Sequence, residues 1–302
     1  MHKNMRFVLY GLLLALLVAC SASFSTRHAV DTPPSAQISS DENKGEVFVG
    51  AGDIAGCWFN AAERTAQLLD TIPGTVFTAG DNVYDSGTAR EFRDCYELTW
   101  GRHKSRTRPT PGNHDYLTKN AAPYYEYFGA SAGPSGRGYY SYELGSWHII
   151  ALNSNIDAGE GSTQMEWLRR DLLTDKHKCT LAYWHHPVFS SGKHGNNMHM
   201  RAIFDELFSR GVEVVISGHE HMYERLAPMD GAGVPDPLGI RSFIVGTGGA
   251  MLTGSGKTHP SSEVRQSAYG VLKLTLKKGS YDWQFVPVSD DVVGDRGSGT
   301  CH

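Results

Sequence analysis

Short runs of β-branched and aliphatic residues recur along the chain from about residue 46, and each is typical of a buried strand. They occupy residues 47–51, 76–79, 148–152, 179–184, 212–217 and 243–245. Between several of them the apolar positions follow helical spacing, at residues 61–69, 164–173 and 200–208. Strands that alternate with helices predict an α/β architecture whose sheets are buried on both faces.

Two other segments have the pattern of antiparallel hairpins. Gly145 can return the alternating residues 139–144 to the next strand, and Gly279 ends a turn between residues 271–276 and 283–288. Because these hairpins join strands of the α/β type, we expect mixed sheets.

The domain organisation follows from where this patterning begins and ends. No internal repeat and no linker interrupts residues 46–289, which predicts a single folded domain there. Residues 21–45 are rich in Ser, Thr, Asp, Asn and Pro and are expected to form a flexible tether. The Gly/Ser-rich residues 290–302 are expected to form a flexible tail.

The N-terminus has the features of an export signal. A short basic leader precedes an apolar run at residues 7–19, which is too short for a membrane span and typical of a secretory signal peptide. The run ends in Leu17-Val18-Ala19-Cys20, which resembles the bacterial lipobox and predicts cleavage of residues 1–20 around a lipidated Cys20. Ser21 favours the outer membrane of a Gram-negative cell. An ordinary signal peptide is the alternative, and under either interpretation the protein leaves the cytoplasm.

Composition excludes one class of function. The chain has 302 residues, 40% of them hydrophobic, and a formal net charge of -4. Without a basic excess, nothing supports nucleic-acid binding through the phosphate backbone.

Most of the predicted strands are followed by polar residues that a strand does not need. These motifs are Gly52-Asp53, Gly80-Asp81-Asn82, Gly112-Asn113-His114-Asp115, His185-His186-Pro187 and Gly218-His219-Glu220-His221. Ligands of open α/β sheets bind beyond the carboxyl ends of the strands, so the motifs predict one convergent site. Carboxylate, amide, phenol and imidazole donors suit Fe, Mn or Zn.

In this order, and with Tyr84 completing the second motif, the motifs resemble those of the calcineurin-like metallophosphoesterases, and among these the purple acid phosphatases. The resemblance covers about residues 46–250. It implies a fold of the metallophosphoesterase type, an α/β sandwich of two mixed sheets flanked by helices in four layers.

Two positions carry the resemblance to the purple acid phosphatases. Most metallophosphoesterases have a metal-binding histidine two residues after the first aspartate, whereas here that position is Ala55. Purple acid phosphatases have a small residue there and a tyrosine three residues after the second aspartate, which corresponds to Tyr84. The lost ligand and the gained ligand compensate for each other.

The resemblance implies two metal ions that share one carboxylate. Fe(III) is expected at Asp53, Tyr84 and His221, a divalent Zn, Mn or Fe ion at Asn113, His185 and His219, and Asp81 is expected to bridge the two.

Two further histidines are predicted to be catalytic. His114 is expected beside the second metal, where it would offset charge on the phosphoryl oxygens. His194 follows His185 at the spacing seen in mammalian-type purple acid phosphatases and is expected to protonate the leaving group. A surface position is the alternative for His194. His186 is expected to be structural, and Asp115 to orient His114 or a metal-bound group.

Five cysteines complete the inventory. With Cys20 assigned to lipid, Cys57, Cys95, Cys179 and Cys301 remain in a compartment that permits disulfides, and they allow three pairings. Cys57 and Cys95 each lie just beyond a motif loop, which favours that pair.

The predicted function is therefore metal-dependent hydrolysis of a small-molecule phosphate ester, as an acid phosphomonoesterase. A phosphodiesterase or nucleotidase on the same two-metal core is one alternative, and a non-catalytic envelope lipoprotein is another. We expect a membrane-anchored monomer in the cell envelope. Plant purple acid phosphatases carry an extra N-terminal β domain, for which the interval between Cys20 and Val47 leaves no room.

Overall fold

The computed structural model describes residues 44–58 and 60–302. The predicted signal peptide 1–20, with Cys20, lies outside the described residues, as do residues 21–43 of the predicted tether. Within the described part of the chain, no helix is both long enough and apolar enough to cross a membrane.

The regular elements follow the predicted order. The strands are β1 (Glu46–Ala51), β2 (Ala55–Gly56), β3 (Thr75–Ala79), β4 (Val83–Tyr84), β5 (Thr107–Thr110), β6 (Tyr140–Leu144), β7 (Trp147–Ala151), β8 (Cys179–Trp184), β9 (Val214–Ser217), β10 (Tyr223–Leu226), β11 (Arg241–Val245), β12 (Ser262–Gln266), β13 (Gly270–Lys277), β14 (Ser280–Pro287) and β15 (Arg296–Thr300). The α-helices are α1 (Ala61–Thr71), α2 (Ala89–Glu91), α3 (Ala122–Phe128), α4 (Thr163–Thr174) and α5 (Arg201–Ser209). A π-helical turn covers Phe92–Tyr96, and 3-10 turns cover Trp100–Arg106, Asp115–Leu117, Lys119–Ala121, Gly129–Ala132 and Met198–Met200.

Thirteen of these strands form two mixed sheets, as the sequence predicts, and β2 pairs with β4 apart from them. One sheet has the order β15-β14-β13-β1-β3-β5, in which β1, β3 and β5 run parallel. The other has the order β12-β10-β11-β9-β8-β7-β6, in which β11, β9, β8 and β7 run parallel. Both predicted hairpins are present, as β6–β7 and β13–β14.

Alternation along the second sheet explains the layering. Ile149 and Leu181 belong to the apolar core that also contains Phe48 of the first sheet. Their neighbours Ile150 and Ala182 belong to a second core, together with apolar side chains of α4 and α5. Because successive side chains of a strand point to opposite faces, one face of this sheet packs on the first sheet and the other on helices. The fold is an α/β sandwich of mixed sheets with helices, as predicted.

Helix α4 shows how local sequence fits this arrangement. The Ser162 hydroxyl caps the helix by accepting a hydrogen bond from the Met165 backbone N–H. Met165 and Leu168 lie on one face, three residues apart, and are fully buried. This face belongs to the second core, so the helix packs on the second sheet through Met165 and Leu168.

The predicted flexible tail is wrong for its last part, because Arg296–Thr300 pairs antiparallel with β14. Gly297 and Gly299 lie opposite Trp283 and Tyr281, and a Cβ atom on either glycine would run into the facing aromatic ring. The glycines were the reason to expect a flexible tail. In the structure they have the opposite effect, because the absence of a Cβ atom lets β15 lie against the two aromatic rings.

Two disulfides join segments that are far apart in the sequence. Cys57 pairs with Cys95, which confirms the favoured pairing, and Cys179 pairs with Cys301. The second bond ties the end of the chain to the start of β8.

Candidate metal centre

The first two motif loops are joined by their backbones just beyond β1 and β3. The N–H groups of Asp53, Ile54 and Ala55 donate in turn to the carbonyls of Gly80, Asp81 and Asn82, at 3.0, 2.9 and 3.1 Å. This ladder leads into the short parallel pair β2–β4, in which Gly56 lies opposite Tyr84. The backbone therefore brings Tyr84 to the side of Asp53.

One group of predicted ligands meets around the Tyr84 phenol. Its oxygen lies 2.8 Å from Asp53 Oδ1 and 3.2 Å from His221 Nε2. His221 Nε2 is also 3.2 Å from Asp53 Oδ1. These are the residues expected to hold the first metal, and the structure brings them together.

The other group meets around His185. Its Nε2 lies 3.0 Å from Asn113 Oδ1 and 3.2 Å from His219 Nδ1. His185, His186 and His219 present ring nitrogens within 4.8 Å of one another. The residues expected to hold the second metal are therefore also neighbours.

Asp81 contacts both groups. Its Oδ2 atom is 3.0 Å from the Tyr84 phenol and 3.3 Å from His185 Nε2, while Oδ1 accepts a hydrogen bond from the His114 backbone N–H at 2.8 Å. One oxygen that faces both groups is the geometry a bridging ligand requires.

Backbone carbonyls orient two of the imidazoles. His185 Nδ1 lies 2.8 Å from the Ala79 carbonyl, and His221 Nδ1 lies 2.7 Å from the Met251 carbonyl. A carbonyl can only accept, so each Nδ1 carries a proton and each Nε2 is turned towards the cluster. This is how metal-binding histidines are usually held.

Glycines allow the loops to approach this closely. A Cβ on Gly112 would clash with the Asp81 carboxylate, and one on Gly218 would lie 2.6 Å from Asp53 Oδ2. Asp53, Asp81 and His219 themselves have φ values of 60°, 48° and 68°, a region that non-glycine residues rarely adopt. Such strain is typical of functional sites.

Charge in the cluster is balanced by protons on two histidines. Burial opposes ionisation, but the bond to His221 and the charges of His185 and His221 hold the pKa of Asp53 below its ordinary value. Burial lowers the pKa of His185 and of His221, but Asp81 and Asp53 respectively outweigh it and raise each pKa to about 9. Burial and the charge on His185 lower the pKa of His219 to about 4.

Burial, reinforced by the negative charges of Asp53 and Asp81, raises the pKa of Tyr84 well above its usual value. The phenol therefore keeps its proton unless a metal cation offsets the charge of these two carboxylates. Cations would reverse that preference and displace protons from the cluster. A set of buried carboxylates, a phenol, an amide oxygen and imidazoles directed at common points fits two hard or borderline metal ions.

His114 lies between the Tyr84 ring and the shared Asp81 carboxylate. Its ring packs 4.4 Å from the Tyr84 ring, in the first group, and its Nε2 is 4.0 Å from Asp81 Oδ2. Its Nδ1 lies 2.5 Å from the Asp85 carbonyl and must donate to it, which leaves Nε2 facing the cluster.

His194 lies at the rim of the second group. Its ring is 4.7 Å from the His219 ring and its side chain is half exposed. Nδ1 lies 3.2 Å from Oε2 of Glu220, which is fully buried. Glu220 is a residue that sequence reasoning overlooked, although its position between His219 and His221 was a signal.

Two other motif residues support the loops. Asp115 accepts hydrogen bonds from the Gly112 and Asn82 backbones and the Asn82 side chain at 2.8 to 3.2 Å, so it joins two motif loops. Burial, together with Asp81, raises the pKa of Asp115 to about 7. His186 shares a 2.8 Å hydrogen bond with Ser154, and burial and the charges of neighbouring histidines lower its pKa to about 2.

Curated relatives are similar to this chain in sequence. The chain is 28% identical to purple acid phosphatase 15 of Arabidopsis thaliana over 66% of its own length and 44% of the relative's. It is 30% identical to purple acid phosphatase 23 of the same plant over 66% of its own length and 51% of the relative's. The chain therefore spans about half the length of these curated relatives.

The fold has a solved counterpart in purple acid phosphatase PPD1 from yellow lupin (Lupinus luteus) seeds. The two superpose with a TM-score of 0.71 and 18% identity, over 85% of this chain and 54% of the lupin chain. The family model of the calcineurin-like phosphoesterases matches residues 47–223, which include all the motif loops. This chain belongs to the calcineurin-like phosphoesterase family.

Proposed function

We propose that this protein is an acid phosphomonoesterase of the purple acid phosphatase type. The observation that carries the proposal is the position of the Tyr84 phenol, within 3.2 Å of Asp53, Asp81 and His221. Ala55 stands where most of the family has a histidine ligand, so Tyr84 supplies the donor that Ala55 cannot.

The metal assignment rests on the chemistry of the donors. Asp53, Tyr84 and His221 would hold Fe(III), because a phenolate is a hard anionic ligand that favours a trivalent ion. Asn113, His185 and His219 would hold a divalent Zn, Mn or Fe ion, with Asp81 shared between the two. When bound, such a pair of cations acidifies water and polarises the phosphoryl group for in-line attack.

The side chains around the centre have separate tasks. His114 Nε2 faces the cluster beside Tyr84, where it can donate to a phosphoryl oxygen and offset the charge that develops there. His194 lies on the side of His219, where Nε2 can give a proton to the departing alkoxide because Nδ1 is held by Glu220. Glu220 is a positioning residue in this scheme.

The cellular setting belongs to the same proposal. The protein would be exported and anchored in the bacterial envelope through lipidated Cys20, act as a monomer, and take a small-molecule phosphate ester as substrate.

The proposal is tested with the full chain, purified in detergent and loaded with iron and zinc. Turnover of an aryl phosphate monoester and of the matching diester is compared from pH 4 to pH 9. Faster monoester cleavage with an acidic optimum is expected, because a trivalent ion acidifies water more strongly than a divalent ion. Faster diester cleavage at or above neutral pH would move the protein to the phosphodiesterases, and an alkaline optimum would contradict the Fe(III) assignment.

Tyr84→Phe isolates the tyrosine. Loss of the visible tyrosinate-to-iron absorption, with the fold unchanged by circular dichroism, is expected if Tyr84 binds Fe(III). Tyr116→Phe is the matched control, because Tyr116 hydrogen-bonds Asn153 outside the ligand set and its loss should leave the absorption in place.

A further inference from the structure

A second group of histidines and carboxylates lies near the start of β8, whereas the candidate metal centre lies beyond its end. Glu143 of β6, His148 of β7, and Asp175 and His177 in the segment between α4 and β8 form what we term the hairpin cluster. It lines a surface cleft of about 340 Å³. Asp175 and His177 precede β8, whereas His185 of the candidate metal centre follows it. The two sites are therefore roughly 20 Å apart, the length of a strand of this size.

The spacing of the donors is that of a small coordination sphere. His148 Nδ1 is 3.1 Å from Glu143 Oε1 and 4.0 Å from Asp175 Oδ1. His177 bridges the carboxylates, with Nδ1 2.7 Å from Asp175 Oδ1 and Nε2 3.1 Å from Glu143 Oε2. One donor atom from each residue lies within 4.8 Å of all the others. Tetrahedral zinc with bonds of 2.0 to 2.2 Å needs ligand atoms roughly 3.4 Å apart, so small side-chain shifts suffice.

His148 is held in the orientation a metal ligand needs. Its Nε2 lies 2.7 Å from Asp171 Oδ2, and the other oxygen of Asp171 accepts a 2.6 Å hydrogen bond from the Ser141 hydroxyl. A proton on Nε2 that is donated to this carboxylate leaves the Nδ1 lone pair directed into the hairpin cluster. Histidines that bind zinc through one ring nitrogen usually donate the N–H of the other to a carboxylate in this way.

Burial and charge favour a cation in the same place. The side chains of His148 and Asp175 are 5% and 7% exposed, whereas those of Glu143 and His177 are 53% and 31% exposed. Two donors therefore form a buried base and two form an accessible rim. With neutral imidazoles, the carboxylates of Glu143, Asp171 and Asp175 leave an excess of negative charge that a divalent ion would offset.

We propose that Glu143, His148, Asp175 and His177 bind a Zn²⁺ ion that cross-links the β6–β7 hairpin to the segment leading into β8. Two imidazoles with two carboxylates are a donor set that suits zinc, and the buried base formed by His148 and Asp175 suits a structural ion. The ion would stabilise the sheet next to the disulfide at Cys179 and take no part in hydrolysis.

The test counts zinc in the full chain. Wild type and Glu143→Gln/His177→Gln are stripped with a chelator, reloaded with Zn²⁺, desalted and analysed by mass spectrometry of the metal. Both changed residues lie at the accessible rim, so the chelated proteins should unfold at the same Tm. Wild type is expected to retain one zinc ion more per chain than the variant. Its Tm is expected to rise by about 5 °C more on reloading, at zinc concentrations near 100 times Kd.

Glu126→Gln/His302→Gln is the matched control, because it removes the same residue types at exposed positions outside the hairpin cluster. It should behave like wild type. Equal zinc content and an equal zinc-dependent rise in Tm for wild type and Glu143→Gln/His177→Gln would overturn the proposal and leave the hairpin cluster as a network of ion pairs. Metal at the candidate metal centre does not affect this outcome, because its ligands are the same in all these proteins.

Discussion

Histidines and carboxylates gather beyond both ends of β8, but they are held differently at the two ends. At the carboxyl end, Asp81 and His185 are held by backbone groups of neighbouring loops, at 2.8 Å in each case. At the amino end, His148 is held by the side chain of Asp171 and lies directly across the hairpin from Glu143. The first arrangement needs glycines and left-handed φ values, whereas the second uses regular strand geometry.

This difference indicates what each end does. Backbone groups cannot rotate away, so the donors at the carboxyl end keep one geometry, as catalysis requires. Strain at Asp53, Asp81 and His219 is a cost to stability that a functional site can justify. The amino end joins a hairpin to a neighbouring loop without such strain, so its effect should appear in stability rather than in turnover.

The largest contrast is expected between Asp81→Asn and Asp175→Asn, one at each end. Asp81 faces both groups of ligands, so its loss should weaken both metal sites and lower kcat/KM for an aryl phosphate by about 10³-fold, which is several kcal/mol of transition-state stabilisation. Asp175→Asn should leave kcat/KM near the wild-type value and lower the Tm of the zinc-loaded protein. Comparable losses of activity in both variants would break the distinction between the two ends.

A smaller effect is expected for the proposed proton donor within the carboxyl end. His194→Gln should lower kcat by about 10²-fold on an alkyl phosphate, whose alkoxide needs a proton, and by much less on an aryl phosphate with an acidic leaving group. His199→Gln is the control, because His199 bonds the Ile156 carbonyl in the same loop region. An equal loss on both esters would show that His194 does not protonate the leaving group.

The smallest effect concerns stability against pH at the amino end. Burial raises the pKa of Glu213 to about 7 although it accepts a hydrogen bond from the Thr180 backbone N–H. A raised carboxyl pKa favours folding below the unfolded value of 4.5, and this contribution is lost as the pH rises through 7. Between pH 4.5 and pH 8, the free energy of unfolding of wild type should fall by on the order of 2 kcal/mol more than that of Glu213→Gln.

Urea unfolding of both proteins at the two pH values measures this difference. Glu126→Gln, an exposed position, should keep the wild-type dependence. Asp53 has its pKa shifted in the opposite direction, so this residue contributes stability that is lost on acidification instead. Identical pH profiles for wild type and Glu213→Gln would show that Glu213 is ionised in the folded state at no cost.

Much of the fold could be predicted because the signals are local. Each apolar run became a strand, and each helical pattern a helix, with ends that differ by at most two residues. Strands β2, β4, β5, β10, β12 and β15 were missed. Arg108 and Pro109 interrupt β5, and the exposed β12 alternates without an apolar run, so neither has the composition of a buried strand.

The candidate metal centre was predictable for a related reason. Its donors follow strands directly, and parallel strands carry their carboxyl ends to one edge, so the order of motifs along the chain was enough to bring them together. The packing of the His114 ring against Tyr84 was not predictable. It depends on the Asp85 carbonyl that takes its Nδ1 proton, and thus on the path of the loop after β4.

By itself, the sequence determined the α/β class, the residues at the ends of the strands and the exchange of a histidine at position 55 for Tyr84. Only the tertiary structure decided that Glu220 holds His194, that the Gly-rich tail becomes a strand on Trp283, and that His148 and His177 share a cluster. The physical reason is the range of the interactions. Periodicity and strand ends are properties of neighbouring residues, whereas these contacts depend on the register and packing of segments far apart in the chain.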